Sequence, residues 1–131
     1  MVRKVSVIGA GNAPPEWVAQ QIHDVQACTD RPFGVNVPLF SPYVDPVIEL
    51  CIRESVPVVT TGAGNPGPYL EPLHEAGIMV FPLVSSVALA KRLARQGIDG
   101  LVVEGHESGG HVGDVATLPL LTDVDTAADL P

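Results

Sequence analysis

Residues 56–84 read VPVVTTGAGNPGPYLEPLHEAGIMVFPLV, and this stretch contains a complete strand–helix–strand unit. Val56–Thr61 and Ile78–Val84 are short apolar runs rich in Val and Ile, the composition of strands buried on both faces. Between them, Pro68–Ala76 has helical spacing, with Leu70, Leu73 and Ala76 expected to face inward. Gly77 stands directly after the last periodic residue, where a left-handed backbone ends a helix without a Cβ penalty.

The same unit recurs on both sides. Further apolar runs occupy Val5–Ile8, Gly34–Val37 and Gly100–Val103, separated from their neighbours by about 20 to 28 residues. Val18, Ile22 and Val25 recur at helical spacing behind Pro14 and Pro15, which suit the first turn. In the next segment Asp45 is expected to cap, with Pro46 at the first helical position and Val47, Ile48, Cys51 and Ile52 along one face. A fourth helix is expected from Val87 to Gln96, stopped by Gly97, and one more near Leu120–Leu130. Alternating strands and helices imply right-handed crossovers and a parallel sheet. The short, regular repeat favours a (β/α)8 barrel over an open doubly wound sheet. A full barrel takes about 250 residues, so the fold class expected is α/β, a partial TIM (β/α)8 barrel of about five strands. Residues 1–131 are expected to form a single partial barrel domain.

Composition narrows the function. The 131 residues carry 7 Lys+Arg against 15 Asp+Glu, a formal net charge of −8, so nucleic acid and anionic membranes are poor partners. The N-terminal apolar run is too short for a secretory signal, and no stretch approaches the ~18 apolar residues of a membrane span. A cytoplasmic protein is expected, with Cys28 and Cys51 as buried free thiols.

The densest chemistry is Glu104-Gly105-His106-Glu107-Ser108-Gly109-Gly110-His111-Val112-Gly113-Asp114, at the C-terminal end of the fifth strand. Barrels and open sheets alike place their sites at that end. Four glycines offer bare backbone N–H groups to a phosphate or a flavin ring, and a histidine beside them can donate a proton. His111 follows the glycine pair and is the better candidate of the two. The segment has one residue too many for HExxH and lies in a loop, so no metal is expected. Ser108 lacks the GxSxG elbow of a nucleophile. Gly62–Gly67 fits GxGxxG, but no acid follows at the ribose-binding distance, and a turn at a strand end is the plainer reading. Asn36, Thr60 and Thr61 end buried strands, as turn residues or as polar groups at the mouth of the sheet.

The segments IGAGNAPPEW, RPFGVNVPLFSP, VPVVTTGAGNPG and VVEGHESGGHVG together resemble one FMN-binding TIM-barrel family. It holds the enoyl-acyl carrier protein reductase II enzymes and the nitronate monooxygenases (2-nitropropane dioxygenases). TTGAGNPG looks like the reductase branch. The resemblance implies FMN at the barrel mouth, touched by Asn36, Glu104, Gly109 and Gly110, with His111 at the catalytic histidine's place. It implies NADH as electron donor and reduction of an enoyl thioester, small or linked to acyl carrier protein, in fatty acid synthesis. Two alternatives stand beside it: oxidation of alkyl nitronates with O2, and an inactive truncated fragment. Against the family pattern, a first strand is expected before residue 1 and three further βα units after residue 131. The exposed edges of such a piece imply a homodimer or a complementing polypeptide.

Overall fold

The structure is a computed structural model and describes residues 5–109 and 112–128. The chain forms two compact units, Met1–Val80 and Phe81–Pro131.

Unit 1 holds β1 (Ser6–Gly9), α1 (Pro15–Cys28), β2 (Phe33–Pro38), α2 (Val44–Arg53), β3 (Val58–Gly62) and α3 (Gly67–Glu75). β1 pairs in parallel with β2, Ser6 opposite Phe33 and Gly9 opposite Asn36. β2 pairs in parallel with β3, Gly34 opposite Val58 and Pro38 opposite Gly62. Adjacent parallel strands joined by right-handed crossovers in one direction keep every connecting helix on the same face, and α1 packs on α2 and α2 on α3. On that face Val35, Val37, Val59 and Thr61 are buried beneath the helices, with Val18, Ile22, Val47, Leu50, Cys51, Leu70 and Leu73. Alternation along each strand turns Val7, Gly9, Gly34, Asn36, Val58 and Thr60 to the opposite face.

Unit 2 holds β4 (Met79–Val84) from Phe81 onward, α4 (Val87–Ala94), β5 (Val102–Val103) and α5 (Thr117–Ala127). β4 and β5 pair in parallel, Leu83 opposite Val102 and Val84 opposite Val103. Ser86 caps α4, its Oγ accepting from the Leu89 N–H at 3.2 Å. α5 packs on α4 and β5, burying Leu120 and Val124. The repeated strand–helix order, parallel within each unit, is that of the expected partial barrel. Among the described residues no helix is long and apolar enough to cross a membrane.

Helix ends account for most departures from the sequence reading. α3 stops as expected: Gly77 has φ +75°, its N–H donates to His74 O at 2.9 Å, and Ile78 N–H reaches Leu73 O at 2.9 Å. α2 ends in the same way, with Ser55 at φ +51° and Val56 N–H donating to Cys51 O at 3.0 Å. α2 starts at Val44 with Tyr43 at the cap, so Asp45 lies inside the first turn. The phenol of Tyr69 donates to Asp45 Oδ1 at 2.7 Å. Ala76 is exposed, because it ends α3 where the chain turns away from the sheet. α5 begins at Thr117, ahead of the expected segment, and β5 pairs over two residues only. β1 is not covered on both faces: Val7 is 48% exposed.

Cys28 is exposed at the last residue of α1, which corrects the expectation of two buried thiols. Cys51 is buried, and desolvation pushes its pKa up to about 12. A thiol reagent at pH 8 should therefore modify Cys28 rapidly and spare Cys51 until denaturant unfolds the chain. Equal rates for the two thiols in the native chain would contradict this packing.

Candidate functional site

In unit 1 the register sets Asn36 beside Thr60, and Asn36 Nδ2 donates to Thr60 Oγ1 at 2.9 Å. Asn36 is half-buried and Thr60 buried, both on the face opposite α1, α2 and α3. Gly9 flanks Asn36 in the β1 register, and Gly62 lies two residues beyond Thr60 on the same face. A Cβ built at either glycine would meet nothing within 4 Å. A polar pair therefore sits between two positions without side chains, at the C-terminal ends of three parallel strands. Backbone bonds hold the framework: Ala10 N–H donates to Asn36 O at 3.0 Å, and Leu39 N–H to Gly62 O at 2.8 Å. Thr61 points the other way, and its buried Oγ1 has no hydrogen-bond partner among the described residues.

The turn after β3 is built for packing. Asn65 Oδ1 accepts from Gly67 N–H at 3.1 Å, opening α3 with an Asx turn. A Cβ on Gly64 would come within 2.8 Å of the Leu39 Cβ, so this glycine is required by the neighbouring loop. Gly62 is the open position of the apparent fingerprint, and the segment as a whole is a strand-end turn.

In unit 2 the half-buried Glu104 extends the strand pairing, its N–H donating to Val84 O at 2.9 Å. The loop beyond it is closed at its base by His106 N–H to Val115 O at 2.9 Å. Glu107 Oε2 accepts both from the Thr117 N–H at 2.9 Å and from the Thr117 hydroxyl at 2.6 Å. The carboxylate thus satisfies an orphan donor in the first turn of α5, where no cap side chain is present. These bonds, the hydroxyl first, lower the Glu107 pKa to about 2.

The glycines of this loop divide by role. A Cβ on Gly105 would collide with the Thr117 backbone and hydroxyl, and one on Gly113 would come within 2.8 Å of the Ser85 Cβ. Gly109 is exposed and has nothing within 4 Å. Among these three, Gly109 alone has room for a side chain, while Gly105 and Gly113 are held against their neighbours by packing. Gly110 and His111 lie outside the described residues.

Of the residues singled out from sequence, the structure joins Asn36 to Thr60 in unit 1 and sets Glu104 and Gly109 along one loop of unit 2. The Glu107–Thr117 contact escapes the sequence reading. Its one signal is an uncapped threonine at the start of a helix with an acid ten residues earlier. The donor set fits a flat heteroaromatic cofactor such as a flavin, with side-chain-free positions for the ring and amide and hydroxyl groups for a polar edge.

The family described as nitronate monooxygenase matches residues 40–131. A (3aS,4S,5R,7aS)-5-hydroxy-7a-methyl-1-oxo-octahydro-1H-indene-4-carboxyl-CoA dehydrogenase from Rhodococcus jostii is 38% identical over 110 residues, 84% of this chain and 31% of that protein. The chain thus spans about a third of the length of the curated relatives it matches. Among solved structures, FabK from Thermotoga maritima superimposes with a TM-score of 0.93 and 43% identity, covering 97% of this chain and 41% of that one. Nitroalkane oxidase from Streptomyces ansochromogenes shares the fold, with a TM-score of 0.84 at 21% identity, over 97% of this chain and 49% of that one. The fold class is the partial (β/α)8 barrel expected from the strand–helix repeat.

Gly105→Ala should destabilise unit 2 by about 1–3 kcal/mol through overpacking, while Gly109→Ala should stay within about 0.5 kcal/mol of wild type. Thermal unfolding of the two variants checks this, and equal losses would contradict the division of roles. Glu107 has its pKa depressed in the folded chain, so its contribution is present above the unfolded value of 4.5 and is lost as pH falls toward about 2. The Thr117 amide resonance should titrate across that window. An unchanged resonance from pH 5 to pH 2 would show that the carboxylate does not hold it.

Proposed function

The chain belongs to the nitronate monooxygenase family, and from that premise we propose that it serves an FMN-dependent oxidoreductase reducing an enoyl thioester with NADH as electron donor. The observation that carries this reading is the likeness to FabK at 43% identity over 97% of the chain. FabK is an enoyl-acyl carrier protein reductase II, and the TTGAGNPG turn at residues 60–67 resembles that branch of the family. The Rhodococcus jostii relative is named for a carboxyl-CoA compound, which also speaks for a thioester substrate.

FMN, when bound, supplies hydride carriage between NADH and the β-carbon of the enoyl group. The residues of the chain do the rest. By their match to the family's motif positions, Asn36, Glu104, Gly109 and Gly110 would hold the cofactor. His111 would polarise the thioester carbonyl or help supply the proton that the α-carbon takes up. The Glu107–Thr117 contact fixes the base of the loop that carries this histidine in sequence, so that little is spent on ordering that base when substrate arrives.

The second reading, oxidation of alkyl nitronates by O2, is favoured by the family match over residues 40–131. The acceptor separates the two. With FMN present, the thioester reading expects NADH oxidation that depends on an enoyl thioester and proceeds without oxygen. Oxygen consumption with a nitronate and no NADH would replace it by the second reading.

His111→Ala should retain FMN affinity and lose enoyl reduction by about 10²-fold or more, the usual worth of a positioned acid. Unchanged steady-state turnover in that variant would remove the histidine from the mechanism.

A further inference from the structure

The Asn36–Thr60 pair has a polarity of its own. Asn36 gives Nδ2 to the Thr60 hydroxyl at 2.9 Å, which leaves the carboxamide Oδ1 as an acceptor not used among the described residues. A hydroxyl that accepts one bond still has its own hydrogen to donate. The pair therefore presents one acceptor and one donor side by side, held by the β2–β3 register. Both groups stand on the face away from α1, α2 and α3, between the open positions Gly9 and Gly62. Thr60 is 9% exposed, and a buried polar side chain costs free energy unless its bonds are made.

An adjacent acceptor and donor are complementary to an imide edge, in which a ring N–H stands beside a ring carbonyl. The pyrimidine end of a flavin carries such an edge, with N3–H beside the C4 carbonyl. The geometry points to Thr60 as a cofactor-binding residue that acts with Asn36 to read the imide edge of a flavin, Asn36 Oδ1 accepting from N3–H and the Thr60 hydroxyl donating to the neighbouring carbonyl. This rests on the flavin reading above and adds to it a second residue and the part of the ring that is read. The hydroxyl of Thr60 also fixes the amide of Asn36, so that its acceptor faces outward and does not rotate away.

The test is equilibrium quenching of flavin fluorescence on the purified chain, with FMN and with FMN methylated at N3. Wild type, Thr60→Ser and Thr60→Val are compared, alongside thermal unfolding of each without flavin. Thr60→Val should weaken FMN binding about five- to tenfold, the worth of one hydrogen bond in a buried site, and Thr60→Ser should restore it. Wild type should bind the N3-methylated cofactor more weakly than FMN by at least that factor, a comparison that needs no variant to fold. Equal affinity of wild type for FMN and its N3-methyl form overturns the proposal, as does a folded Thr60→Val that binds like wild type. Absence of FMN binding by wild type overturns the flavin reading itself, and the proposal with it.

Discussion

Everything in unit 1 depends on the handedness of its crossovers. A right-twisted strand feeding a helix returns to the next parallel strand in one sense only. Three strands in the order β1, β2, β3 therefore keep α1 and α2 together on one face, and α3 packs on α2. Two consequences follow from that single constraint. The helix-packed face becomes a core of Val35, Val37 and Val59 over Ile22, Leu50 and Leu73. The other face carries Val7, Gly34 and Val58, and toward its C-terminal end Asn36, Thr60 and two open glycines.

A glycine-rich motif offers no partition of its own. In the segment 104–114 the glycines look alike as letters, yet the structure sorts them by what stands beside them. Gly105 is pressed on Thr117 and Gly113 on Ser85, whereas Gly109 faces open space. The acid between them, Glu107, is engaged by the first residue of α5. The loop is thus anchored at its shoulders by packing and by one charged acceptor.

Period and punctuation made the fold legible. Short apolar runs rich in Val and Ile marked the five strands among the described residues, and Gly77 and Gly97 marked two helix ends because they take positive φ. What stayed hidden was decided by contacts distant in sequence. Ser55 takes the same left-handed turn as Gly77, and a serine carries no sign of it. Asp45 looked like a cap because Pro46 follows it, but α2 starts one residue before Asp45, whose side chain is held by Tyr69 from the next helix. Cys28 fits the apolar spacing of α1 and is exposed because the helix ends there. Asn36 and Glu104 were legible as polar residues at strand ends. The pairing of Asn36 with Thr60 required the register, which no local pattern carries.

The central claim is that the C-terminal end of the helix-free face of unit 1 receives a flavin ring. The most direct measurement is a ¹⁵N–¹H correlation spectrum of the chain through an FMN titration. Saturable shifts are predicted at the Asn36 side-chain amide and at the backbone amides of Gly9 and Gly62, with the Val35 and Val59 amides beneath the helices moving less. Shifts confined to other surfaces, or a spectrum unchanged at saturating FMN, would contradict it.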